Sequence, residues 1–258
     1  MIVENENKFN MGEIYDAIYD LSDDYLEFIL FFLGDTKTAM ELGVGTGRMS
    51  IPVAMKRYTL YGIDNNTEML EKCREKILLH NLEKKIFIFK EDITAFNLGI
   101  KVDTCFFTSN TYMLINTIEE RLAALINCSN HLNMGGTLLI ILNNPCEFMK
   151  KDHEITQHKR GTLSNNSVIE ITEYRKIDLI NWERIGFDEF HNIDNDEKIR
   201  VPVRHGIVTQ SELELLAYLS GFSIIHTYGN YNKDPLTSMS KKAIYILKKI
   251  KDINNEEF

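Results

Sequence analysis

The chain has 258 residues, of which 44% are hydrophobic, and a formal net charge of −9. This length and apolar content suffice for one large domain or a core with an insertion. The acidic balance, with a pI near 5.3, opposes binding to polyanions, so nucleic acid and anionic membrane surfaces are not expected as partners. Neither a secretory signal nor an apolar run of the ~18 residues that a membrane span needs is seen.

Four cysteines stand far apart in the sequence: Cys73, Cys105, Cys128 and Cys146. They form no C-x-x-C pair and have no clustered histidines near them. This spacing predicts free thiols in a reducing compartment, with neither a disulfide framework nor a metal site. The sequence therefore predicts a cytoplasmic protein.

Apolar periodicity predicts an alternation of helices and strands in the first 142 residues. The predicted helices cover residues 14–33, 47–55, 66–79 and 118–132, and the predicted strands cover 38–42, 59–63, 85–89, 102–107 and 137–142. Gly34 is expected to stop the first helix, and residues 134–136 to form a turn. The fourth strand is almost wholly apolar, which is typical of a parallel strand covered on both faces. The pattern predicts a doubly wound α/β sheet.

The pattern changes after residue 144. Residues 167–178 and 181–193 alternate with a period of two, and 198–203 are a third candidate strand. We therefore expect an antiparallel insertion over residues 145–204. A helix over 209–219, capped near Thr209 or Ser211, and strands over 223–228 and 242–248 are predicted to follow it.

Three glycines, Gly43, Gly45 and Gly47, alternate where the first strand meets the next helix. Glycine permits sharp turns and close approach of a ligand to the main chain, and a helix N-terminus points free N–H groups into the turn. Arg48 stands where the dinucleotide fingerprint G-x-G-x-x-G requires its third glycine, so this motif is absent. A phosphate-binding P-loop is also absent, because no lysine follows Gly47. A nucleotide-type loop of another kind is predicted.

Two acids follow neighbouring strands of the predicted sheet. Asp64 ends the second strand and Asp92 comes shortly after the third. Ligands of open α/β sheets bind at the carboxyl ends of the strands, where Asp64 is placed to accept both hydroxyls of a ribose. The plain alternatives are a helix cap for Asp64 and a solvated turn for Asp92.

The spacing Glu41-x-Gly43-x-Gly45-x-Gly47 resembles the first motif of the class I S-adenosylmethionine (SAM)-dependent methyltransferases, and the resemblance extends over most of the chain. It implies SAM as cofactor and S-adenosylhomocysteine (SAH) as product. Glu41 would lie near the methionine amino group, Asp64 at the ribose and Asp92 at the adenine. The full set of implied cofactor residues is Glu41, Gly43, Val44, Gly45, Thr46, Gly47, Asp64, Asn65, Met69, Asp92, Ile93, Thr108, Ser109 and, from a lid, Tyr19.

The same resemblance implies the domain plan. A Rossmann-like doubly wound sheet with an antiparallel last strand would be built from residues 1–144 and 205–258, with residues 1–35 as an N-terminal helical lid. The insertion at 145–204 would cover the substrate site. Its residues Trp182, Arg184, Phe187, Phe190 and His191 would line a pocket, contact a second copy or pack on one another. A homodimer is left open.

The implied function is methyl transfer to a nitrogen or oxygen of a small molecule by in-line displacement. The loop at residues 108–112 lacks the proline of the motif that many nucleic-acid and protein-amide methyltransferases carry there. A hydroxyl acceptor needs a base, for which His205, His191 and Tyr112 are candidates, whereas an amine does not. Two alternatives stay open: a SAM-fold enzyme with other chemistry, and an inactive SAM-binding accessory module.

Overall fold

A computed structural model describes residues 10–149 and 155–253; the remaining parts of the predicted core and insertion lie outside the described residues. The strands are β1 (Thr38–Leu42), β2 (Thr59–Asp64), β3 (Ile86–Lys90), β4 (Val102–Phe107), β5 (Leu132–Asn143), β6 (Ile155–Thr162), β7 (Val168–Asp178), β8 (Glu183–Asn192), β9 (Glu197–Gly206), β10 (Phe222–Tyr228) and β11 (Lys242–Lys249). The helices are α1 (Met11–Ile18), α2 (Asp23–Leu33), α3 (Ser50–Ala54), α4 (Thr67–Leu79), α5 (Ile118–His131), α6 (Pro145–Met149) and α7 (Gln210–Leu219), with a 3₁₀ turn at Thr111–Leu114.

Seven strands form the main sheet, in the order β10-β11-β5-β4-β1-β2-β3. Strands β1 to β5 are parallel to one another, and β11 is antiparallel to both of its neighbours, β5 and β10. The predicted fold class is confirmed, including the antiparallel last strand. Strand β1 stands between β2 and β4, so the order reverses beside it, and the carboxyl ends of these strands form the crevice where open sheets bind ligands.

The main sheet is covered on both faces because its strand residues alternate between two cores. Met40 and Leu42 of β1 pack in the core that includes α5 and α7. Ala39 packs in the opposite core, with α2, α3 and α4. Among the described residues, no helix combines the length and apolarity that a membrane span requires.

Two local predictions were wrong. The single helix predicted over residues 14–33 is two helices. Ser22 is the N-cap residue of α2, and Asp23 and Asp24 are the acidic residues that favour a helix N-terminus in its first turn. The turn at residues 134–136 belongs instead to the start of β5. Helix α4 is capped by Asn66, whose side chain accepts from Met69 N, so Asp64 is not its cap.

The second sheet has four antiparallel strands in the order β6-β7-β8-β9. Strand β6 was not predicted, because its sequence ITQHKRGT shows no alternation of apolar and polar residues. One face of this sheet packs on α1: Ile169, Ile171 and Phe190 join Ile14 in a separate small core. We call it the inner face; by strand register it carries Lys159, Gly161, Ile169, Ile171, Glu173, Arg175, Ile177, Arg184, Gly186, Asp188, Phe190, Ile199, Val201, Val203 and His205.

Candidate active site

The three glycines of the loop after β1 all have positive φ angles, of 77°, 53° and 74°. A Cβ on Gly43 would come within 2.3 Å of the Thr111 side chain, so this glycine allows close packing. A Cβ on Gly45 would meet only the Met69 methyl group, at 3.9 Å. Gly45 therefore keeps a stretch of main chain bare beside open space, which is the condition for a ligand to lie against the backbone.

The two predicted acids are fixed by backbone N–H groups at the rim of this space. Asp64 accepts from Gly45 N through Oδ2 at 2.8 Å and from Asn66 N through Oδ1 at 2.9 Å. Oδ1 of Asp92 accepts from the backbone N and the hydroxyl of Thr94, at 2.8 and 2.7 Å. Burial raises the pKa of Asp64, and the backbone hydrogen bonds oppose that rise.

Glu41 is almost completely buried, with 1% of its surface exposed. The Ser50 hydroxyl donates to its Oε2 at 2.5 Å, and the Thr108 hydroxyl donates to its Oε1 at 2.7 Å. Burial raises the pKa of Glu41 to about 7. A cationic group placed beside this carboxylate would favour its ionised form.

The loop after β4 turns sharply into the same region. Ser109 and Asn110 both have positive φ angles, of 53° and 67°, an arrangement that costs energy outside glycine and often marks a functional site. The guanidinium of Arg48 donates to the Ser109 hydroxyl and lies 5.4 Å from the centre of the Tyr15 ring. The turn is also held by Ser109 N, which donates to the Tyr25 hydroxyl at 3.1 Å.

These groups surround one cavity of about 360 Å³, within the range of small-molecule sites. Eleven of the predicted cofactor residues line it: Glu41, Gly43, Val44, Gly45, Asp64, Asn65, Met69, Asp92, Ile93, Thr108 and Ser109. Residues from the ends of four strands, β1 to β4, and from α4 thus meet in one space. Their individual roles toward a cofactor stay predictions.

Three predicted cofactor residues do not line the cavity. The Thr46 hydroxyl donates to Asp16 of α1 at 2.6 Å, so it ties the helix to the loop. Gly47 allows close packing, since a Cβ there would lie 2.8 Å from Cys73 Sγ. Tyr19 lies behind Tyr15, with its ring centre 4.9 Å from that of Tyr15.

Comparison with known proteins agrees with this geometry. A family model described as "Methyltransferase domain" matches residues 39–136. The cypemycin N-terminal methyltransferase of a Streptomyces species is 21% identical over 218 residues, which are 83% of this chain and 84% of that protein. Residues 39–136 are thus a methyltransferase domain, and the family model and relatives that the chain resembles are class I SAM-dependent methyltransferases.

Solved structures share the fold of this methyltransferase. CcbJ, a methyltransferase from Streptomyces caelestis, superposes with a TM-score of 0.75 at 19% identity, covering 88% of this chain and 89% of that one. CalS10, an amino pentose methyltransferase from Micromonospora echinaspora with SAM bound, gives a TM-score of 0.68 at 15% identity over 88% and 89% of the two chains.

The comparisons support SAM as the cofactor, and the cavity has the hydrogen-bond acceptors that SAM needs. Its carboxylates Asp64 and Asp92 are acceptors suited to ribose hydroxyls and an amino group. The buried Glu41 is an acceptor for a cationic amine. The bare main chain at Gly45 leaves room for the ligand.

The structure contradicts the proposed bases. Tyr112 is fully buried, packs against Phe107, and its hydroxyl donates to the Arg121 carbonyl at 3.3 Å. His191 does not point to the inner face and pairs with Asp196 at 2.8 Å. Neither side chain lines the cavity.

His205, the remaining candidate base, lies on the inner face at the end of β9. Burial and the positive charges of Arg175 and Arg184 lower the pKa of His205 to about 4. A group with so low a pKa is a poor proton acceptor at neutral pH. His205 also does not line the cavity, so the structure does not place it as a general base.

The aromatic residues of the insertion divide between its two faces. Phe190 packs against Ile14 on the inner face. Phe187 stacks on Tyr174 on the other face, with ring centres 4.6 Å apart. Trp182 stands in the turn between β7 and β8, 46% exposed and with a φ of 52°. They do not form one aromatic pocket.

Tyr15 of the predicted N-terminal lid also lines the cavity. Several other cavity residues were missed by the sequence reasoning: Arg48, Met49, Glu91, Thr94, Thr111, Leu114, Ile115, Asn116 and Glu120. Arg48 and Met49 directly follow the glycine motif, so their position along the chain was a usable signal. Leu114, Ile115 and Asn116 had no such signal, because the 3₁₀ turn that brings them to the cavity shows no sequence periodicity of its own.

Proposed function

We propose that this methyltransferase transfers the methyl group of SAM to the nitrogen of an amine on a small molecule. The observation that carries the choice of nitrogen is the failure of all three candidate bases. A hydroxyl acceptor needs a base, whereas a neutral amine attacks directly and loses its proton to water afterwards. Glu41 is not counted among these bases, because we assign this buried carboxylate to the methionine amino group of SAM.

The cofactor roles follow from the positions of the side chains. We assign Asp64 to the ribose hydroxyls, Asp92 to the adenine amino group and Glu41 to the methionine amino group. SAM supplies a methyl group activated by a sulfonium leaving group. The chain then has to align the acceptor and exclude water, because both increase the rate of an in-line displacement.

The four-stranded sheet supports a small acceptor. It packs over α1, where a Cβ on Gly161 would lie 2.4 Å from the Ala17 carbonyl, and α1 carries Tyr15 of the cavity wall. Two similar proteins are named an N-terminal methyltransferase and an amino pentose methyltransferase, so the substrates in both names carry an amine. Both names favour an amine acceptor here.

The test is incubation of the purified chain with methyl-labelled SAM and pairs of small molecules that differ only in carrying an amine or a hydroxyl. Labelled amines with unlabelled hydroxyl partners are expected. Label in the hydroxyl compounds alone would overturn the choice of nitrogen. SAH binding without label in any acceptor would instead favour an accessory role. A parallel incubation contains tRNA, and label in the tRNA would contradict a small-molecule acceptor.

We further propose a cytoplasmic location and a homodimer. The described cysteines are free thiols, three of them buried, which suits a reducing compartment. The stacked pair Tyr174 and Phe187 on the side away from the inner face offers an apolar contact for a second copy. Light scattering on the purified chain tests the dimer: a monomer mass at micromolar concentration would overturn it.

A further inference from the structure

Arg48 brings a positive charge to a cavity whose other charged groups are acids. Among the described residues that line the cavity, Arg48 is the only one with a positive charge, and five carry a carboxylate: Glu41, Asp64, Glu91, Asp92 and Glu120. In the described ranges 10–149 and 155–253, no salt bridge joins Arg48 to a carboxylate. The positive charge at the cavity is therefore not neutralised by an acid of these ranges.

The Arg48 guanidinium is held against the cavity wall by three contacts. One terminal nitrogen donates to the Asp20 carbonyl at 2.8 Å, and the other donates to the Ser109 hydroxyl. The Cζ atom lies 5.4 Å from the centre of the Tyr15 ring, and Tyr15 and Ser109 both line the cavity. A guanidinium has five N–H donors in a planar fork, so these two hydrogen bonds leave donors for a ligand.

Consecutive residues of the loop after β4 hold Glu41 and Arg48. The Thr108 hydroxyl donates to Glu41 Oε1 at 2.7 Å, and the hydroxyl of the next residue, Ser109, accepts from Arg48. Neighbouring Cα atoms are about 3.8 Å apart, so the two charged groups approach the same short stretch of main chain. Burial raises the pKa of Glu41, and the Arg48 charge is among the effects that oppose this rise.

This arrangement is complementary to a free α-amino acid group, which carries an ammonium and a carboxylate on one carbon atom. Glu41 is an acceptor for the ammonium, and the planar fork of Arg48 matches a carboxylate with two parallel hydrogen bonds. The methionine part of SAM ends in such a group, and so does the homocysteine part of SAH.

We propose that Arg48 binds the carboxylate of SAM. The inference rests on SAM as the cofactor and on the role proposed above for Glu41. The carboxylate would take the donors of Arg48 that are not used by Asp20 and Ser109. The bound cofactor would then connect the glycine loop, the linker between α1 and α2, and the loop after β4, and the site would select ligands that carry this carboxylate.

The test compares two ligands by calorimetry at low ionic strength: SAH, and the SAH analogue that has hydrogen in place of the carboxylate. The parent chain is expected to bind SAH roughly tenfold or more tightly than the analogue. Arg48→Met should weaken SAH binding roughly tenfold to a hundredfold and leave binding of the analogue nearly unchanged. Glu41→Gln should weaken binding of both ligands, because both keep the amino group.

Arg57→Met is the matched control. Like Arg48, Arg57 donates to a main-chain carbonyl, that of Gly34, and it lies 5.7 Å from the centre of a tyrosine ring, that of Tyr58. Arg57 does not line the cavity, so its variant should keep the parent affinity for SAH. Melting curves check the fold of each variant, and Arg48→Gln is the second variant if Arg48→Met does not fold.

Equal weakening of both ligands in Arg48→Met would overturn the proposal, because the arginine would then only hold the cavity wall. Unchanged SAH affinity in this variant would also overturn it, as would equal affinities of the parent chain for the two ligands. A selective loss in Arg48→Met, together with unchanged binding in Glu41→Gln, would support Arg48 and refute the role of Glu41. The titrations need no methyl transfer, so their outcome is separate from that of the amine assay.

Discussion

The cofactor cavity and the inner face of the four-stranded sheet are built in opposite ways. The cavity is formed at chain bends, where Gly43, Gly45, Ser109 and Asn110 all have positive φ angles and hydrogen bonds come largely from the main chain. The inner face is formed by regular strands that present charged side chains at alternate positions. A ligand that contacts the main chain requires glycines at fixed positions along the sequence. Regular strands present a side chain to the same face at every second position, so only the type of residue distinguishes one such site from another.

The largest expected effect concerns the charged group of the inner face. Arg175→Met leaves Glu173 and Asp188 opposite each other without their shared cation. Loss of one partner from a buried charged group costs about 3–5 kcal/mol, and we expect the free energy of unfolding to fall accordingly. Chemical denaturation measures it, with SAH affinity unchanged if the two regions are independent.

Arg200→Met is the matched control for this change. Arg200 pairs with Glu189 at 2.7 Å, but its side chain is 65% exposed, and exposed pairs contribute within about 1 kcal/mol. Equal losses in the two variants would mean that the inner face is no more than a solvated charged surface.

The next effect lies in the cavity. Asp64→Ala is expected to weaken SAH binding roughly tenfold to a hundredfold, because hydrogen bonds to a charged group are lost. Calorimetry measures the change. Asp35→Ala is the control, since the Asp35 side chain is fully exposed and pairs with Arg57 away from the cavity. Unchanged SAH affinity in Asp64→Ala would refute the ribose assignment.

The pH dependence of stability should depend on Glu41. Its pKa of about 7 in the folded chain exceeds the ordinary value of 4.5, so the folded state holds a proton that the unfolded state releases. The free energy of unfolding should therefore fall between about pH 4.5 and 7, by up to about 1.4 kcal/mol per pH unit, and level off above pH 7.

Glu41→Gln should remove this slope. It should also flatten a rise in SAM affinity through pH 7, because the SAM amino group favours the ionised carboxylate. Denaturation and calorimetry across pH 5 to 8 are compared for parent and variant. Parallel curves for the two proteins would contradict the assignment of Glu41.

The smallest expected effect separates backbone strain from ligand contact. Gly45→Ala and Gly99→Ala both place an L-residue at positive φ, 53° and 66°, and each should lower stability by about 1 kcal/mol. A Cβ on Gly99 meets nothing within 4 Å, whereas one on Gly45 projects beside the cavity wall. SAH affinity should fall in Gly45→Ala alone, and an equal fall in both would show that strain is the cause.

Much of the main sheet could be read from the sequence because its strands are continuous apolar runs. Val102–Phe107 was predicted with its observed bounds, since four of its six residues are apolar and five of the six are buried. Strand β6 was missed because it alternates no apolar residues. The break between α1 and α2 was missed because apolar periodicity outweighed the cap at Ser22.

The sequence by itself determined the kind of cofactor site, because three glycines at alternate positions and an acid after each of two strands are local patterns with a local cause. Only the tertiary structure decided which candidates meet in space: it placed Tyr112 in the core, separated His191 from the inner face, and brought Arg48 to Ser109. Residues 61 positions apart meet through strand pairing and sheet packing, and neither leaves a mark at fixed spacing along the chain.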